Sequence, residues 1–542
     1  MKTGSCECVK TRSYQHTIEL ASILTQVAVG TEFFVCFEPA VCDIAAALAI
    51  AVGISALIRN IPKLPVVVTG SLLAFMLINA VGLIGVASVK AGIRFLGITA
   101  YLIIFSLLIS SLISEKDGLK QKLVNAYLIA ALVTAALIWA GFFGNIFNLS
   151  ALLRMTYGSR PMSLFKDPNV AGSFLIPAAL FLSSCLLEEG RVQSPIHRGI
   201  HWGVLFFLIS ALFHTAGRSA VLCWGVGLLA LTFPSGVSLR RKTRHLVGVA
   251  SFVIVVLPVM YICTGNSTTI GLSSRVLPHV GFVGAAVHQA QFFVADIARS
   301  AGIEISFAGG SLALQNDGLR PFAIGLYDYD TGGRLYAWRA ALELWKNHPV
   351  IGVGPGNLEF LSSIIQERMG ASFITPSTHN IYLRVLAENG VLGLVSLMVL
   401  LISVLVMTVK AGSKTGKKTP SKTEDNTRSD TAAGTCGDTA GKAGGDTVGT
   451  AGSDTVGTAG SDTVGTAGSD TAGKAGSNAV GKACAERHGL CAGRSPLWNC
   501  KNTIWLSASL IALIANGLFI DSLHFRHLWL VWALALSEVR TD

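Results

Sequence analysis

The chain has 542 residues, of which 51% are hydrophobic and only 13% are charged, and its mean hydropathy is +0.58. A soluble domain carries roughly 25% charged residues, so this composition excludes an ordinary soluble protein and predicts a polytopic membrane protein. The formal net charge is +11. The basic residues cluster in short loops, where topology explains them, so we expect no nucleic-acid partner.

Twelve apolar segments follow one another along the chain. About 20 apolar residues span a hydrocarbon core, and the backbone of such a span must pair internally, which here means helices. We therefore predict an all-α fold with about 12 transmembrane helices, although the first, seventh, eighth and last segments are short or interrupted. The segments are 18–37, 41–58, 64–87, 93–113, 123–143, 171–187, 200–213, 220–233, 246–263, 391–407, 504–520 and 528–536.

The distribution of Lys and Arg predicts the orientation, because cytoplasmic loops are enriched in these residues. Residues 1–17 are expected to be a cytoplasmic tail, and alternation of the spans then places the most basic short loops and the C-terminus inside. The N-terminus lacks a secretory signal with a small-residue cleavage site, so we expect the first apolar segment to stay as an anchor. The eleven cysteines suggest no disulfide framework.

Two long connections interrupt the spans. Residues 18–263 hold the first nine helices, and 264–390 form a large external loop with helical parts before the tenth helix at 391–409. Residues 410–501 form a cytoplasmic insertion, followed by the last two helices at 502–538. Within the insertion, 441–480 repeat an eight-residue unit rich in Gly, Thr and Asp, which predicts disorder. The repeat faintly resembles a nine-residue calcium-binding repeat, but its period and location argue against that function.

Metal binding is not expected anywhere in the chain. The insertion ends with residues that could be ligands by type, but their spacing matches no common zinc pattern. Asp328 and Asp330 in the external loop are the nearest approach to an acidic metal-binding cluster, and we discount them. The possible zinc ligands are Cys484, His488, Cys491 and Cys500.

A helical pattern in the external loop runs from Arg334 to Trp345. Arg334 and Trp338 are four residues apart and share a face, whereas Arg339 points well away from Arg334. Pro349 should end this helix. The glycine-rich stretch 351–357 follows, but it lacks the Gly-Lys-Ser/Thr of a nucleotide-binding loop.

His379 lies in an aqueous loop close to the tenth span. It follows Ser377 and Thr378, both good N-cap residues, and precedes a helix-like stretch that Asn389-Gly390 interrupts. The positive end of a helix dipole favours a neutral imidazole, which can accept a proton as a general base must. The alternative is an interfacial histidine that makes a structural hydrogen bond.

Two further polar positions lie on the same predicted side of the membrane. Arg218 begins a span, where a guanidinium is costly unless it faces a partner or a water-filled cavity. The alternative for Arg218 is a side chain that snorkels to the surface. Asp167, Pro168 and Asn169 open another span, and a helix-start device explains them more readily than catalysis does.

These residues together resemble the bacterial O-antigen ligase and O-antigen polymerase superfamily. The resemblance covers about residues 18–410 and 502–538, and the long repeat insertion departs from the usual short loop. It is carried by Arg218, Asp167-Pro168-Asn169, Arg334-x3-Trp338, His348-Pro349-x-x-Gly352-x-Gly354, His379-Asn380 before Asn389-Gly390, and Asp521 before Leu528-Trp529.

The resemblance implies a glycan transferase of the bacterial cytoplasmic (inner) membrane. Such enzymes pass a glycan from a polyprenyl diphosphate donor to an acceptor hydroxyl on lipid A–core, on a growing glycan or on a protein, without a cofactor or a metal. It implies that His379 is the base, that Arg218, Arg334 and more weakly Arg339 bind the diphosphate, and that the transfer inverts the anomeric carbon. Asp167, Asn169, Trp338 and Asn380 would support the site.

Two functions other than glycan transfer are also compatible with the sequence. A transporter or flippase for lipid-linked glycans also has about twelve spans, but transporters keep polar residues near the bilayer midplane, whereas here these residues gather at the predicted outer face. A scaffold that uses the repeat insertion would leave the external Arg and His residues unexplained. Within the superfamily, ligase, polymerase and protein O-oligosaccharyltransferase all remain possible.

Overall fold

The computed structural model describes residues 4–59, 64–147, 149, 155–157, 160–188, 195–233, 237–256, 333–369, 371, 374–415 and 503–539. Most of the predicted external loop before Gly333, including Asp328 and Asp330, lies outside these residues. So do the octapeptide repeats and the four possible zinc ligands of the insertion.

The described residues form a helical bundle with one very short hairpin. The hairpin strands β1 (Thr156–Tyr157) and β2 (Arg160–Pro161) pair antiparallel, with Tyr157 opposite Arg160. The helices are α1 (Gly4–Gly30), α2 (Val41–Arg59), α3 (Val66–Val81), α4 (Val89–Glu115), α5 (Leu119–Phe147), α6 (Pro168–Leu187), α7 (Pro195–His214), α8 (Arg218–Thr232), α9 (Leu239–Ser251), α10 (Gly333–Asn347), α11 (Leu358–Arg368), α12 (Ile381–Thr415), α13 (Ile504–Asn516) and α14 (Arg526–Val539), with a π-helical turn at Phe252–Val256 after α9.

The all-α expectation is confirmed, whereas the expected count of twelve spans is not. Each predicted apolar segment overlaps a helix within the described residues. Six of these helices (α2, α4, α5, α6, α7 and α12) are long and apolar enough to cross a membrane, and α3, α8 and α13 are apolar but shorter. Residues 4–17, which we expected to be a tail, are the first half of α1.

Helix α6 lies at the centre of the bundle. In the most apolar 18-residue stretch of α6, 89% of the residues are buried. The helix packs against α5, α7, α8 and α13. The hydroxyl of Tyr127 on α5 donates to the carbonyl oxygen of Phe174 at 2.6 Å. Gly227 on α8 lets that helix approach closely, because a Cβ there would lie 2.6 Å from Leu180 and 3.0 Å from Ala512. The core therefore depends on close helix contacts as well as on apolar burial.

Helices α8 and α13 run antiparallel. Gly227 lies against Ala508 and Ala512. The start of α8 adjoins the start of α6, since a Cβ on Gly172 would lie 2.9 Å from Ala220. Near the start of α6, the Ser173 hydroxyl lies 3.3 Å from Nε2 of His527, in the first turn of α14 after segment 517–525. The start of α8 and the end of α13 consequently lie at the same end of the bundle.

That end, which we call the site end, also holds the starts of α6 and α12. The amide of Ile381 donates to the carbonyl oxygen of Gly517, just beyond α13, at 2.9 Å. A Cβ on Gly217, just before α8, would lie 3.5 Å from Oδ1 of Asn169 near the start of α6. The first turns of α6, α8 and α12 and the segment 517–525 therefore surround one region.

Candidate active site

His379 occupies a left-handed backbone conformation immediately before α12. Its φ angle is 47°, which is uncommon for a residue other than glycine. The Ser377 hydroxyl oxygen accepts a hydrogen bond from the His379 amide at 3.2 Å, and the Thr378 hydroxyl donates to the carbonyl oxygen of Asn380 at 3.0 Å. The imidazole is partly exposed and its backbone is held from both sides, as a positioned reactive group requires.

Asn380 is the residue that caps α12, which corrects the expectation for Ser377 and Thr378. Its Oδ1 accepts from the amides of Tyr382 and Leu383, both at 3.0 Å. Those bonds satisfy two of the free N–H groups at the helix start. Its Nδ2 donates to the carbonyl oxygen of Leu518 at 3.1 Å. The supporting residue next to His379 therefore joins α12 to segment 517–525.

Trp338 binds the segment that contains His379. Its indole Nε1 donates to the carbonyl oxygen of Thr378 at 2.8 Å. Arg334 lies one turn earlier on α10 and, like Trp338, is partly buried, whereas Arg339 is exposed. Helix α10 ends at Asn347, before Pro349, as the sequence predicted. The Trp338 bond therefore places the turn of α10 that carries Arg334 near His379, whereas Arg339 points away from that face.

The glycine-rich turn packs α10 and α11 onto the bundle. Gly352, Gly354 and Gly356 all have positive φ, and a Cβ on each would lie 2.3, 2.1 and 2.6 Å from a neighbouring heavy atom. The amides of Val353 and Gly354 donate to the carbonyl oxygens of Ala387 and Glu388 on α12. Since these donors are used within the protein, the turn acts as packing rather than as a phosphate-binding loop.

The Asp-Pro-Asn segment is a helix start, as its spacing suggested. Oδ1 of Asp167 accepts from the amide of Asn169 at 2.6 Å, and Pro168 occupies the first turn of α6. Asn169 has a second partner, because its Oδ1 accepts from Nη2 of Arg160 at 2.8 Å. Asp167 therefore shapes the segment, while Asn169 connects it to β2.

Arg160, which was not among the predicted site residues, links three parts of the site end. Besides Asn169, it donates to the carbonyl oxygens of Thr215 at 3.1 Å and Ala216 at 3.3 Å. Those carbonyls belong to the turn between α7 and α8, in which Ala216 has a φ of 50°. Arg218 is the exposed first residue of α8, directly after that turn. Arg160 thereby fixes the turn that presents Arg218.

Arg384 is a second residue of the site end that was not predicted from the sequence. It lies one turn into α12 from Asn380 and is only 9% exposed. Its guanidinium pairs with Glu359 and Glu388, both at 3.3 Å, and with Asp521. It also lies 4.7 Å from the ring centroid of Phe95. No spacing rule could have revealed this cluster, because its members come from four separate parts of the chain.

A more exposed ion-pair cluster covers the loop between α1 and α2. Glu38 pairs with Lys166 at 2.5 Å and with Arg94 at 2.7 Å. The Lys166 ammonium, through its hydrogen bond, holds the pKa of Glu38 below its ordinary value. The amide of Val35 donates to the carbonyl oxygen of Leu164, so this loop also belongs to the site end. Such exposed pairs contribute little to stability.

Of the residues predicted to form the site, several lie at one end of the bundle. His379 precedes Asn380, which bonds to Leu518 just beyond α13. Asn169 adjoins the turn before Arg218, and Trp338 bonds to the residue before His379. Within this geometry, residues 203–398 match the family model described as O-Antigen ligase.

This segment of the chain is similar to the O-antigen ligase family. The matched segment covers about a third of the chain and includes Arg218, Arg334, Trp338, His379 and Asn380, whereas Asp167 and Asn169 precede it. The family resemblance predicted from the sequence is confirmed. A search of curated proteins found no match.

This match supports a membrane glycosyltransferase of the O-antigen ligase/polymerase type, and the six long apolar helices indicate an integral membrane protein. The matched family implies glycan and lipid substrates in the membrane. Arg160 and Arg384 extend the set of residues at the site end beyond those that the sequence singled out, and Asp521, which carries part of the resemblance, pairs with Arg384.

Proposed function

We propose that the protein transfers a glycan from a polyprenyl diphosphate donor to an acceptor hydroxyl at the outer face of the bacterial cytoplasmic membrane, with both termini in the cytoplasm. The reaction needs no metal and inverts the anomeric carbon. The observation that carries the proposal is the set His379, Arg218 and Arg334 within the O-antigen ligase domain. The bonds that hold the His379 segment to α10 and to segment 517–525 support it.

His379 acts as the general base in this proposal. Its imidazole takes the proton of the acceptor hydroxyl while that oxygen attacks the anomeric carbon. The bond between that carbon and the diphosphate oxygen breaks, and the polyprenyl diphosphate leaves with the bonding electron pair. Direct attack from the side opposite the leaving group accounts for the inversion. The left-handed conformation at His379 supports this role, since backbone strain of this kind is frequent at functional sites.

The arginines offset the charge of the leaving diphosphate. A guanidinium fork matches phosphate oxygens in two parallel hydrogen bonds. Arg218 is exposed at the start of α8, and Arg334 is one turn from Trp338 on α10. Because Arg339 is exposed and one position beyond Trp338, we assign it the weakest share of diphosphate binding.

The test is glycan transfer by purified variants, with the strain's own lipid-linked glycan as donor. His379→Ala should abolish transfer while the folded protein still accumulates. His348→Ala, a change of an exposed histidine in the same external region, should transfer normally. Normal transfer by His379→Ala would exclude the base assignment.

The arginine assignments have their own test. Arg218→Ala and Arg334→Ala should raise the KM for the diphosphate donor by about ten-fold or more, since a hydrogen bond to a charged group contributes roughly 1.5–3 kcal/mol. Lysine at either position should restore only part of the activity, because the two-pronged geometry is lost. Arg368→Ala, an exposed arginine at the end of α11, is the matched control.

The acceptor is the lipid A–core or a growing polysaccharide. A protein acceptor, as used by a protein O-oligosaccharyltransferase, is the alternative within the superfamily. Glycan profiles of a deletion strain distinguish them: a ligase mutant loses all attached chains, a polymerase mutant keeps single units, and a protein glycosyltransferase mutant loses glycan from protein only.

A lipid-linked glycan transporter is the alternative of another class. Transport requires two compartments, whereas transfer forms a new covalent bond in detergent solution. Purified protein in detergent with donor and acceptor should therefore yield the glycosylated acceptor. Absence of product, together with movement of the donor across vesicle membranes, would support the transporter.

A further inference from the structure

Four elements converge on the guanidinium of Arg384. Glu359 lies on α11, Glu388 is one turn further along α12, Asp521 belongs to segment 517–525, and Phe95 lies on α4. The Glu388 side chain is fully buried and that of Asp521 is 16% exposed. Arg384 is therefore the common partner of side chains from α4, α11, α12 and segment 517–525.

The same part of α12 is attached to segment 517–525 at two further points. Asn380 donates to the carbonyl oxygen of Leu518, and the amide of Ile381 donates to that of Gly517. Asn380 and Arg384 are one helical turn apart, so they face the same direction. Three bonds in succession thus hold the first turns of α12 against this segment, directly after His379.

Stability alone does not account for such a cluster. Burying an ion pair costs desolvation energy, and well-packed apolar side chains of similar volume often stabilise a protein as well or better. What a planar guanidinium adds is direction, because its donors lie in a fixed fork. A base must lie within hydrogen-bond reach of the proton that it takes, and a misplacement of about 1 Å can cost a hundred-fold in rate.

We infer that Arg384 is a positioning residue for His379, holding the first turns of α12 against Asp521 so that the imidazole meets the acceptor hydroxyl. This inference rests on the proposed function. Because the Arg384 side chain is 10% exposed and pairs with three carboxylates, we assign it no contact with donor or acceptor. It therefore governs the rate of the chemical step rather than the affinity for the donor.

The experiment measures kcat and KM for the lipid-linked donor per mole of folded enzyme. Arg384→Gln should lower kcat by about ten-fold or more and leave KM within about two-fold. Arg384→Lys keeps the charge without the fork and should recover part of kcat. Arg94→Gln, which changes an exposed ion-paired arginine at the same end, should match the unaltered enzyme.

Asp521→Asn provides a second route if Arg384→Gln does not accumulate as folded protein. It keeps the size of the side chain and weakens the same pair, so it should also lower kcat at unchanged KM. Combined with Arg384→Lys, it should add little further loss, because both changes act on one link.

Two results would overturn the inference: a kcat equal to that of the unaltered enzyme, or a raised KM without loss of kcat. His379→Ala in the same assay distinguishes failure of the positioning role of Arg384 from failure of the proposed function. If His379→Ala is inactive and Arg384→Gln is normal, only the positioning role fails. If His379→Ala is active, the proposed function fails, and the inference about Arg384 fails with it.

Discussion

Trp338 and Thr378 are joined by a hydrogen bond of 2.8 Å from the indole nitrogen to the main-chain carbonyl oxygen. The bond crosses from α10 to the residue that precedes His379. It connects the helix that carries Arg334 to the segment of the proposed base. A change in α10 should therefore displace His379 more than it displaces the helices of the bundle.

Replacement of Trp338 by Phe tests this connection. The variant keeps most of the ring area but leaves the Thr378 carbonyl without its donor, at a cost of about 0.5–1.5 kcal/mol. We expect transfer to fall by about three- to ten-fold in the purified assay. Trp345→Phe is the control on the same helix, since its indole nitrogen has no hydrogen-bond partner among the described residues. Equal activities of the two variants would refute the connection.

Arg160 should matter although it does not touch His379. Arg160→Gln removes a side chain that serves Asn169 and the carbonyls of Thr215 and Ala216. We expect the turn before Arg218 to loosen and the KM for the diphosphate donor to rise by about ten-fold, because a residue that positions another acts through its geometry. Lys166→Gln, which alters an exposed cation nearby, should change KM little. A normal KM for Arg160→Gln would show that the turn holds its shape unaided.

Gly390 tests the break within α12. Its φ of 64° and ψ of −166° belong to a region that is essentially restricted to glycine. An added Cβ would lie 2.2 Å from the carbonyl oxygen of Val350. Gly390→Ala should therefore destabilise the protein by about 3 kcal/mol or more, seen as reduced folded protein in membranes and a lower thermal midpoint in detergent.

The control for Gly390 is another glycine within a helix. Gly70 lies in α3, and a Cβ there meets nothing within 4 Å. Gly70→Ala should leave folding unchanged or stabilise it by about 0.5–1 kcal/mol. Similar thermal midpoints for both variants would show that the backbone at Gly390 adapts to a side chain.

The sequence predicted helices well and their ends less well. Hydropathy counts apolar residues whether or not they are helical, so the predicted third span ran to residue 87, whereas α3 ends at Val81. The apolar residues that follow form a turn around Gly85, which has a φ of 80°. A Cβ on Gly82 would lie 3.2 Å from Pro355, a contact between distant parts of the chain that hydropathy cannot register.

Site residues whose structural role depends on neighbouring positions in the sequence were predictable. Residues whose partners are distant in the sequence were not. Pro168 after Asp167 marks a helix start within three residues, and the structure has that cap. Arg384 and Asp521 are 137 positions apart, and Arg160 and Thr215 are 55 apart. From the sequence alone, a basic residue that forms a buried ion pair looks the same as one whose side chain extends to the membrane surface. These pairs could therefore be identified only from the fold.

His524 gives the stability of the site end a defined pH dependence. This residue lies between α13 and α14, and its Nε2 is 3.0 Å from the Thr99 hydroxyl. Burial lowers the pKa of His524 to about 4, while the Asp521 carboxylate opposes that shift. The folded state therefore keeps the ring neutral at pH values where the unfolded chain protonates it. This contribution to stability is complete above about pH 6.5 and is lost as the pH falls towards 4, at most by about 1.4 kcal/mol per pH unit.

His524→Gln should flatten that dependence. Glutamine can still bond to Thr99 but does not titrate, so its thermal midpoint should fall less between pH 7.5 and pH 5 than that of the unaltered protein. The carboxylates that also titrate in this range are common to both proteins, so the difference between the curves isolates the imidazole. An identical fall in midpoint for the His524→Gln variant would mean that this ring protonates within the folded protein at no cost.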